Sequence, residues 1–199
     1  KIDLFGDEIF VFTPKGDLVQ LPVKASPLDF AYNVHSEVGH SCLGAKVNHK
    51  VVPLNSELHN GDIVEIITSS SQSPNYGWLK FAITSKARNH IKRYLNKKER
   101  DESVKIGEEI ITKSLRRLKL LNLKDDVKNA FSKFGFGGKT QLIEAVGKGN
   151  ISIRDILNKI SPKEKLDEKD ESEASSSFFS FARKESKSIK LEGISNIMA

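Results

Sequence analysis

The sequence predicts an α+β chain: a β-grasp, ubiquitin-like domain, then a small all-α domain, then a linker. Three observations carry this. Five short β-rich runs fall within the first 69 residues, with a single helical stretch between the second and third. From residue 74 onward the pattern changes to helical periodicity. From Lys163 apolar residues nearly vanish and charge and serine take over. The expected organisation is a β-grasp domain over 1–69, a basic helical domain over 74–162, a disordered linker over 163–188 and the start of a further domain over 189–199.

The elements follow in order. Asp7 to Thr13 is aromatic and β-branched, as a strand should be. Pro14-Lys15-Gly16 is a turn, with Pro fixing φ and Gly free to take positive φ. Asp17 to Val23 alternates and returns as the second strand of a hairpin. Leu28 to His40 reads as one amphipathic helix. Ser26 is its N-cap, Pro27 takes the first position and Asp29 sits three residues after the cap. Leu28, Ala31, Tyr32 and Val38 form its apolar face, and Gly39 is placed to end it in a left-handed turn. Leu43 to Val47 is a strand, Asn48-His49-Lys50 a turn, and Val51 to Leu54 a short edge strand that tolerates Pro53. After the Asn60-Gly61-Asp62 turn, Ile63 to Thr68 is apolar enough to be a central strand. Hairpin, helix, then three strands is the order of a β-grasp, with the helix covering one face of a mixed sheet.

Ser69 to Pro74 reads as a flexible joint. Trp78 to Phe81 follows, then a basic amphipathic helix over Ser85 to Leu95, with Ala87, Ile91, Tyr94 and Leu95 inward. A second helix is expected near Ser103 to Leu121 and a third from Asp125 to Phe134, closed by Gly135. A fourth runs from Thr140 to Val146, and a fifth is capped by Ser152 and Asp155 and ends near Ile160. Phe and Leu side chains are expected to fill this region's core. Phe178 to Phe181 interrupts the linker, and Ile189-Lys190-Leu191 regains a strand-like start.

Charge is unevenly spread. Residues 1–70 hold 5 Lys+Arg against 9 Asp+Glu, a net −4. Residues 71–162 hold 20 against 9, a net +11. The middle segment therefore suits a polyanion partner or is simply a lysine-rich solvated surface, and charge alone leaves both open. The sequence has no secretory apolar segment and no spanning run, so the expectation is a cytoplasmic chain with no membrane partner. One cysteine, Cys42, excludes an internal disulfide framework and a thiolate zinc site. The start at Lys1, with no Met, reads as a piece of a longer protein.

Catalytic and cofactor chemistry finds no foothold. The sequence contains no His-Asp step and no G-x-x-x-x-G-K-[ST] loop. Gly135-Phe136-Gly137-Gly138 lacks dinucleotide spacing and follows a helix, so it reads as a helix end. His35 and His40 lie about 140° apart around a helix axis and cannot share a metal on one face. Cys42 and His49 lack an orienting acid. No catalytic residue, metal ligand or cofactor is expected. His35 can donate to phosphate or ribose, stack on an unpaired base, or be satisfied by backbone.

Several stretches together carry a specific resemblance. They are Ile9-Phe10-Val11-Phe12-Thr13-Pro14-Lys15-Gly16-Asp17, Asp29-Phe30-Ala31-Tyr32, His35-Ser36-Glu37-Val38-Gly39-His40, and Leu58-His59-Asn60-Gly61-Asp62. With them the first domain resembles the TGS domain of the long RelA/SpoT family, the (p)ppGpp synthetase/hydrolases of the stringent response. Trp78-Leu79, Ser85-Lys86-Ala87-Arg88, Phe134-Gly135-Phe136 and Ile151-Ser152 resemble that family's helical domain. Ile189 to Ile194 looks like the opening of its zinc-finger-like domain.

The resemblance implies a regulatory, non-catalytic segment that senses the 3′-CCA end of deacylated tRNA on the ribosome and relays that state to catalytic domains elsewhere in the parent enzyme. The histidine at the position of His35 is the implied contact, with Tyr32, Ser36 and His40 grouped around it. Lys86, Arg88, Lys92 and Arg93 are the expected contacts to the backbone of tRNA and ribosomal RNA. In some members the TGS domain binds acyl carrier protein. A protein-interaction module, binding that carrier or the catalytic half of its own enzyme, is therefore the alternative.

Overall fold

The computed structural model describes residues 8–160, which form two compact units that divide between Asn96 and Lys97. The expected linker over 163–188, the start of a domain over 189–199 and the aromatic cluster at Phe178 to Phe181 lie outside the described residues.

In the first unit, β1 (Glu8–Phe12) and β2 (Leu18–Pro22) pair as an antiparallel hairpin with Ile9 opposite Leu21. The turn between them closes with the Thr13 amide donating to Asp17 O, and Gly16 takes φ +90°. Strands β3 (Cys42–Val47), β4 (Lys50–Val52) and β5 (Val64–Thr68) form an antiparallel set in the order β4-β3-β5. A parallel bridge between Phe12 and Ile63 brings β1 beside β5. The strand order is thus β2-β1-β5-β3-β4. The apolar final strand is central, and the sheet is the mixed β-grasp that the element order predicts.

The helical stretch over this sheet is two helices rather than one. Helix α1 is Pro27–Val34 and α2 is Ser36–His40, with His35 extended between them. Ser26 and Asp29 form the expected capping box at the start of α1. Gly39 does not end a helix in a left-handed turn. It lies inside α2, where a Cβ would collide with the Tyr32 ring. Its role is close approach, which composition alone does not separate from capping.

Helix α1 is covered on two sides. Phe30 joins Ile9, Val11, Leu21, Leu58 and Val64 in the core beneath the sheet. Leu28, Ala31 and Tyr32 join a second core with Trp78, Ala82, Ala87, Ile91 and Leu95. Each fully buried aliphatic side chain here contributes about 1.5–3 kcal/mol. The chain therefore does not divide at the serine-rich joint. Residues 74–96 pack with the β-grasp, because Ala87, Ile91 and Leu95 recur every four residues and form a stripe that matches α1.

Two expected helices are one. Helix α3 runs from Ser85 to Arg117 and supplies residues to both units. The charged run 96–102 has no apolar residue to bury, but it has no Pro or Gly either, and its Lys, Glu and Arg favour helix.

In the second unit, α4 (Lys124–Asn129), α5 (Lys139–Gly147) and α6 (Ile153–Ile160) surround Ile111, Leu115, Val127, Leu142, Val146 and Ile156. The core is aliphatic, and Phe131, Phe134 and Phe136 pack at its rim rather than filling it. A 3-10 turn at Ala130–Phe134 replaces the end of the third expected helix, and Gly135 closes it with φ +76°. Ser152 and Asp155 cap α6, with the Ser152 hydroxyl 2.7 Å from Asp155 Oδ2. Gly107 of α3 and Gly147 of α5 let the two helix backbones touch: a Cβ at either would strike a carbonyl of the other helix. Among the described residues, no helix is long and apolar enough to cross a membrane.

Candidate nucleic-acid interface

His35 owes its position to the break between α1 and α2. Its backbone is extended, with φ −160° and ψ 145°. Its amide donates to Ala31 O at 3.1 Å and closes α1, while its carbonyl accepts from the Gly39 amide at 3.0 Å and opens α2. Its imidazole Nδ1 accepts from the Glu37 amide at 3.2 Å, so the side chain is the N-cap of α2. One residue holds both helix ends, and the ring is exposed. Asn33, Val34 and Glu37 are exposed beside it in the chain, and Ser36 is half-buried.

Tyr32 and His40 do not join that surface. Tyr32 is fully buried, and its hydroxyl has no hydrogen-bond partner. Burial, reinforced by Cys42 and Tyr94, raises its pKa above the ordinary phenol value. The His40 ring lies 5.6 Å from Tyr32 and 5.0 Å from Tyr94, with its Nε2 buried and unpartnered. Burial, then repulsion from His90, lowers its pKa, so it is held as neutral imidazole. His90 stacks on Tyr32 at 6.0 Å and completes a knot of four rings, in which Tyr32 is fully buried and His40, His90 and Tyr94 are half-buried. Sequence reasoning missed His90. The signal was there: it stands three residues after Ala87 and four before Tyr94, on the inward side of α3.

The four expected cations also separate. Arg88 donates to the carbonyls of Leu79 and Ala82, both at 2.8 Å. The Leu79 carbonyl lies in the last turn of the 3-10 segment Tyr76–Lys80 and the Ala82 carbonyl two residues beyond it, so Arg88 is a structural cap on this connection. Lys86 donates to Asn33 O at 2.9 Å, at the end of α1 and two residues from His35. Lys92 and Arg93 are exposed on α3. In the second unit part of the basic surplus is paired internally. Lys128 bonds Glu108 at 2.8 Å, and Glu144 holds both Lys148 and Arg100.

Cys42 is buried, and burial pushes its thiol up to about 12, whereas His49 is exposed in the turn after β3. The two do not form a dyad. Among the described residues no three His, Cys, Asp or Glu side chains are grouped to hold a metal.

Comparison with known proteins gives this architecture its context. Residues 9–68 match the TGS domain, and residues 94–161 match the RelA/SpoT AH domain. The chain is a TGS–AH segment of the RelA/SpoT family. It is 44% identical over 197 residues to the guanosine-3′,5′-bis(diphosphate) 3′-pyrophosphohydrolase of Aquifex aeolicus, which covers 99% of this chain and 26% of that protein. It is 42% identical over 170 residues to a GTP pyrophosphokinase of Myxococcus xanthus, covering 83% of this chain and 22% of the relative. The GTP pyrophosphokinase of Escherichia coli K12 is 37% identical over 162 residues, covering 79% and 22%. The TGS–AH segment thus spans about a quarter of the length of these curated relatives. The AH match begins at residue 94, close to where the compact units divide. Residues 69–93 fall between the two matches and hold Trp78, Ala82, Ala87 and Ile91 of the first unit's second core.

Proposed function

We propose that this TGS–AH segment senses deacylated tRNA for a cytoplasmic enzyme that makes or degrades (p)ppGpp, and relays that state to the enzyme's catalytic domains. On this reading the exposed surface at His35 receives the unpaired 3′ end. An esterified amino acid would clash there, which gives selectivity through a repulsive element. The exposed cations Lys92 and Arg93, on a segment of net charge +11, add affinity to tRNA and ribosomal RNA without sequence preference. The observation that supports the reading most is the placement of His35. It is the member of its motif that is both exposed and locked by backbone bonds at two helix ends.

The test is binding of the chain to deacylated and aminoacylated tRNA at two salt concentrations, with His35→Ala alongside. Preference for the deacylated form, lost in His35→Ala, is the expected result. Equal binding of both forms, indifferent to His35, would leave only a basic surface. The alternative is docking on a protein such as acyl carrier protein or the enzyme's own catalytic half. It predicts a shallow salt dependence and no tRNA preference.

A further inference from the structure

The structure assigns His35 a fixed tautomer and, with it, the role of a neutral hydrogen-bond donor to its ligand. This rests on the reading of the His35 surface given above and specifies the chemistry that surface recognises. The Glu37 amide donates to His35 Nδ1 at 3.2 Å. An imidazole nitrogen accepts only when it carries no proton, so the ring proton resides on Nε2. The two ring nitrogens point in widely different directions. With Nδ1 tied to the α2 backbone and the residue exposed, the Nε2–H is presented outward.

The charged ring cannot keep this geometry. Imidazolium carries a proton on both nitrogens, and its Nδ1–H would face the Glu37 N–H, donor against donor. The capped state and the cationic state therefore exclude each other. A ligand at the capped residue meets a neutral N–H, not a positive charge. The matching group is a neutral acceptor, a ribose hydroxyl oxygen or an unprotonated base nitrogen or carbonyl. A phosphate held by charge would call for imidazolium. His35 then contributes selectivity that is insensitive to salt, while lysine and arginine contribute the salt-sensitive part.

Two substitutions separate the cap from the donor. In His35→Asn the amide oxygen takes the place of Nδ1, and Asn is among the strongest N-caps, but the outward donor is lost. In His35→Gln an amide N–H returns near the ε position while the cap weakens. The first measurement is nitrogen NMR of the imidazole in the free chain. The neutral Nε2–H tautomer is expected, and the Nδ1–H tautomer would overturn the proposal while leaving tRNA sensing untouched. The second is deacylated-tRNA binding across salt, with hydrogen exchange at the Glu37 amide reporting whether α2 persists. His35→Asn should keep that protection and bind roughly five- to tenfold more weakly, the worth of one hydrogen bond, at an unchanged salt slope. His35→Gln should regain part of the loss. Full binding by His35→Asn, or a slope reduced by about 0.7, the mark of one lost ionic contact, would sink the neutral-donor role. If the native chain binds both forms of tRNA alike, the sensing proposal fails, and the tautomer is decided by the NMR alone.

Discussion

Asp29 divides its work between its two carboxylate oxygens. One, Oδ2, accepts from the Ser26 amide at 3.0 Å and the Ser26 hydroxyl at 2.8 Å, which completes the cap of α1. The other, Oδ1, accepts from the amides of Ile83 and Thr84 and from the Thr84 hydroxyl, at 2.8–3.1 Å, just before α3 begins. The carboxylate is fully buried, so each of these bonds offsets part of a large desolvation cost. Asp29→Ala leaves five donors without their acceptor and is expected to destabilise the first unit by about 3 kcal/mol. Urea denaturation followed at Trp78, which is buried in that unit, measures it. A loss no larger than that of Ser26→Ala would mean that only the cap matters. The sequence made the cap legible, because Ser26 and Asp29 stand at capping-box spacing. The second job was not legible, because its partners lie more than fifty residues away and local pattern carries no trace of them.

At the scale of elements, the same distinction runs through the candidate site. The order of elements and the placement of β5 at the centre of the sheet were readable, because a one-face-buried sheet imposes period-two alternation and an internal strand tolerates continuous apolar residues. The split of α1 from α2 was not, because His35 breaks the helix with a side-chain cap that only geometry reveals. The fate of Tyr32 and His40 was hidden for a related reason. A helix of known periodicity still does not say which of its faces will be covered by a later one, and the cover comes from His90 and Tyr94 of α3. The four-ring knot has a measurable consequence. His40 faces Tyr32, His90 and Tyr94, with Glu37 on its own helix, and its folded-state pKa is lowered chiefly by burial. The unfolded chain therefore binds the proton more readily. Stability from this group is complete above about pH 6.5, the ordinary imidazole value, and declines as pH falls below it. Urea midpoints at pH 7.5, 6.5 and 5.5 should decrease in that order, and His40→Gln should flatten the trend. An unaltered trend in His40→Gln would assign the acid sensitivity to other groups.

At the scale of the whole molecule, net charge pointed to a basic segment but could not say which cations are spoken for. Arg88 is bonded to two backbone carbonyls of its own unit, whereas Lys92 and Arg93 are exposed. The two classes should separate experimentally. Arg88→Ala is expected to lower stability by about 2 kcal/mol through two unpaired carbonyls and the lost guanidinium stem. On the tRNA-sensing reading, Lys92→Glu with Arg93→Glu should leave thermal unfolding nearly unchanged and reduce the magnitude of the salt slope of RNA binding by about 1.5. If the double variant melts early, or if Arg88→Ala alone flattens the slope, the assignment of roles is reversed.

Helix α1 lies between two cores, and only one of them belongs to the stretch that matches the TGS domain. The stretch recognisable as a TGS domain and the stretch that packs as one unit are consequently different lengths of chain. A gene fragment cut at residue 69 would encode every strand of the β-grasp and yet strip Leu28, Ala31 and Tyr32 of Trp78, Ala87, Ile91 and Leu95. Such a fragment would present a greasy helix face to water and be prone to stick to its neighbours. Exchange of this module between proteins must therefore carry about 25 residues beyond its recognisable end, or find a new host helix that supplies the same cover.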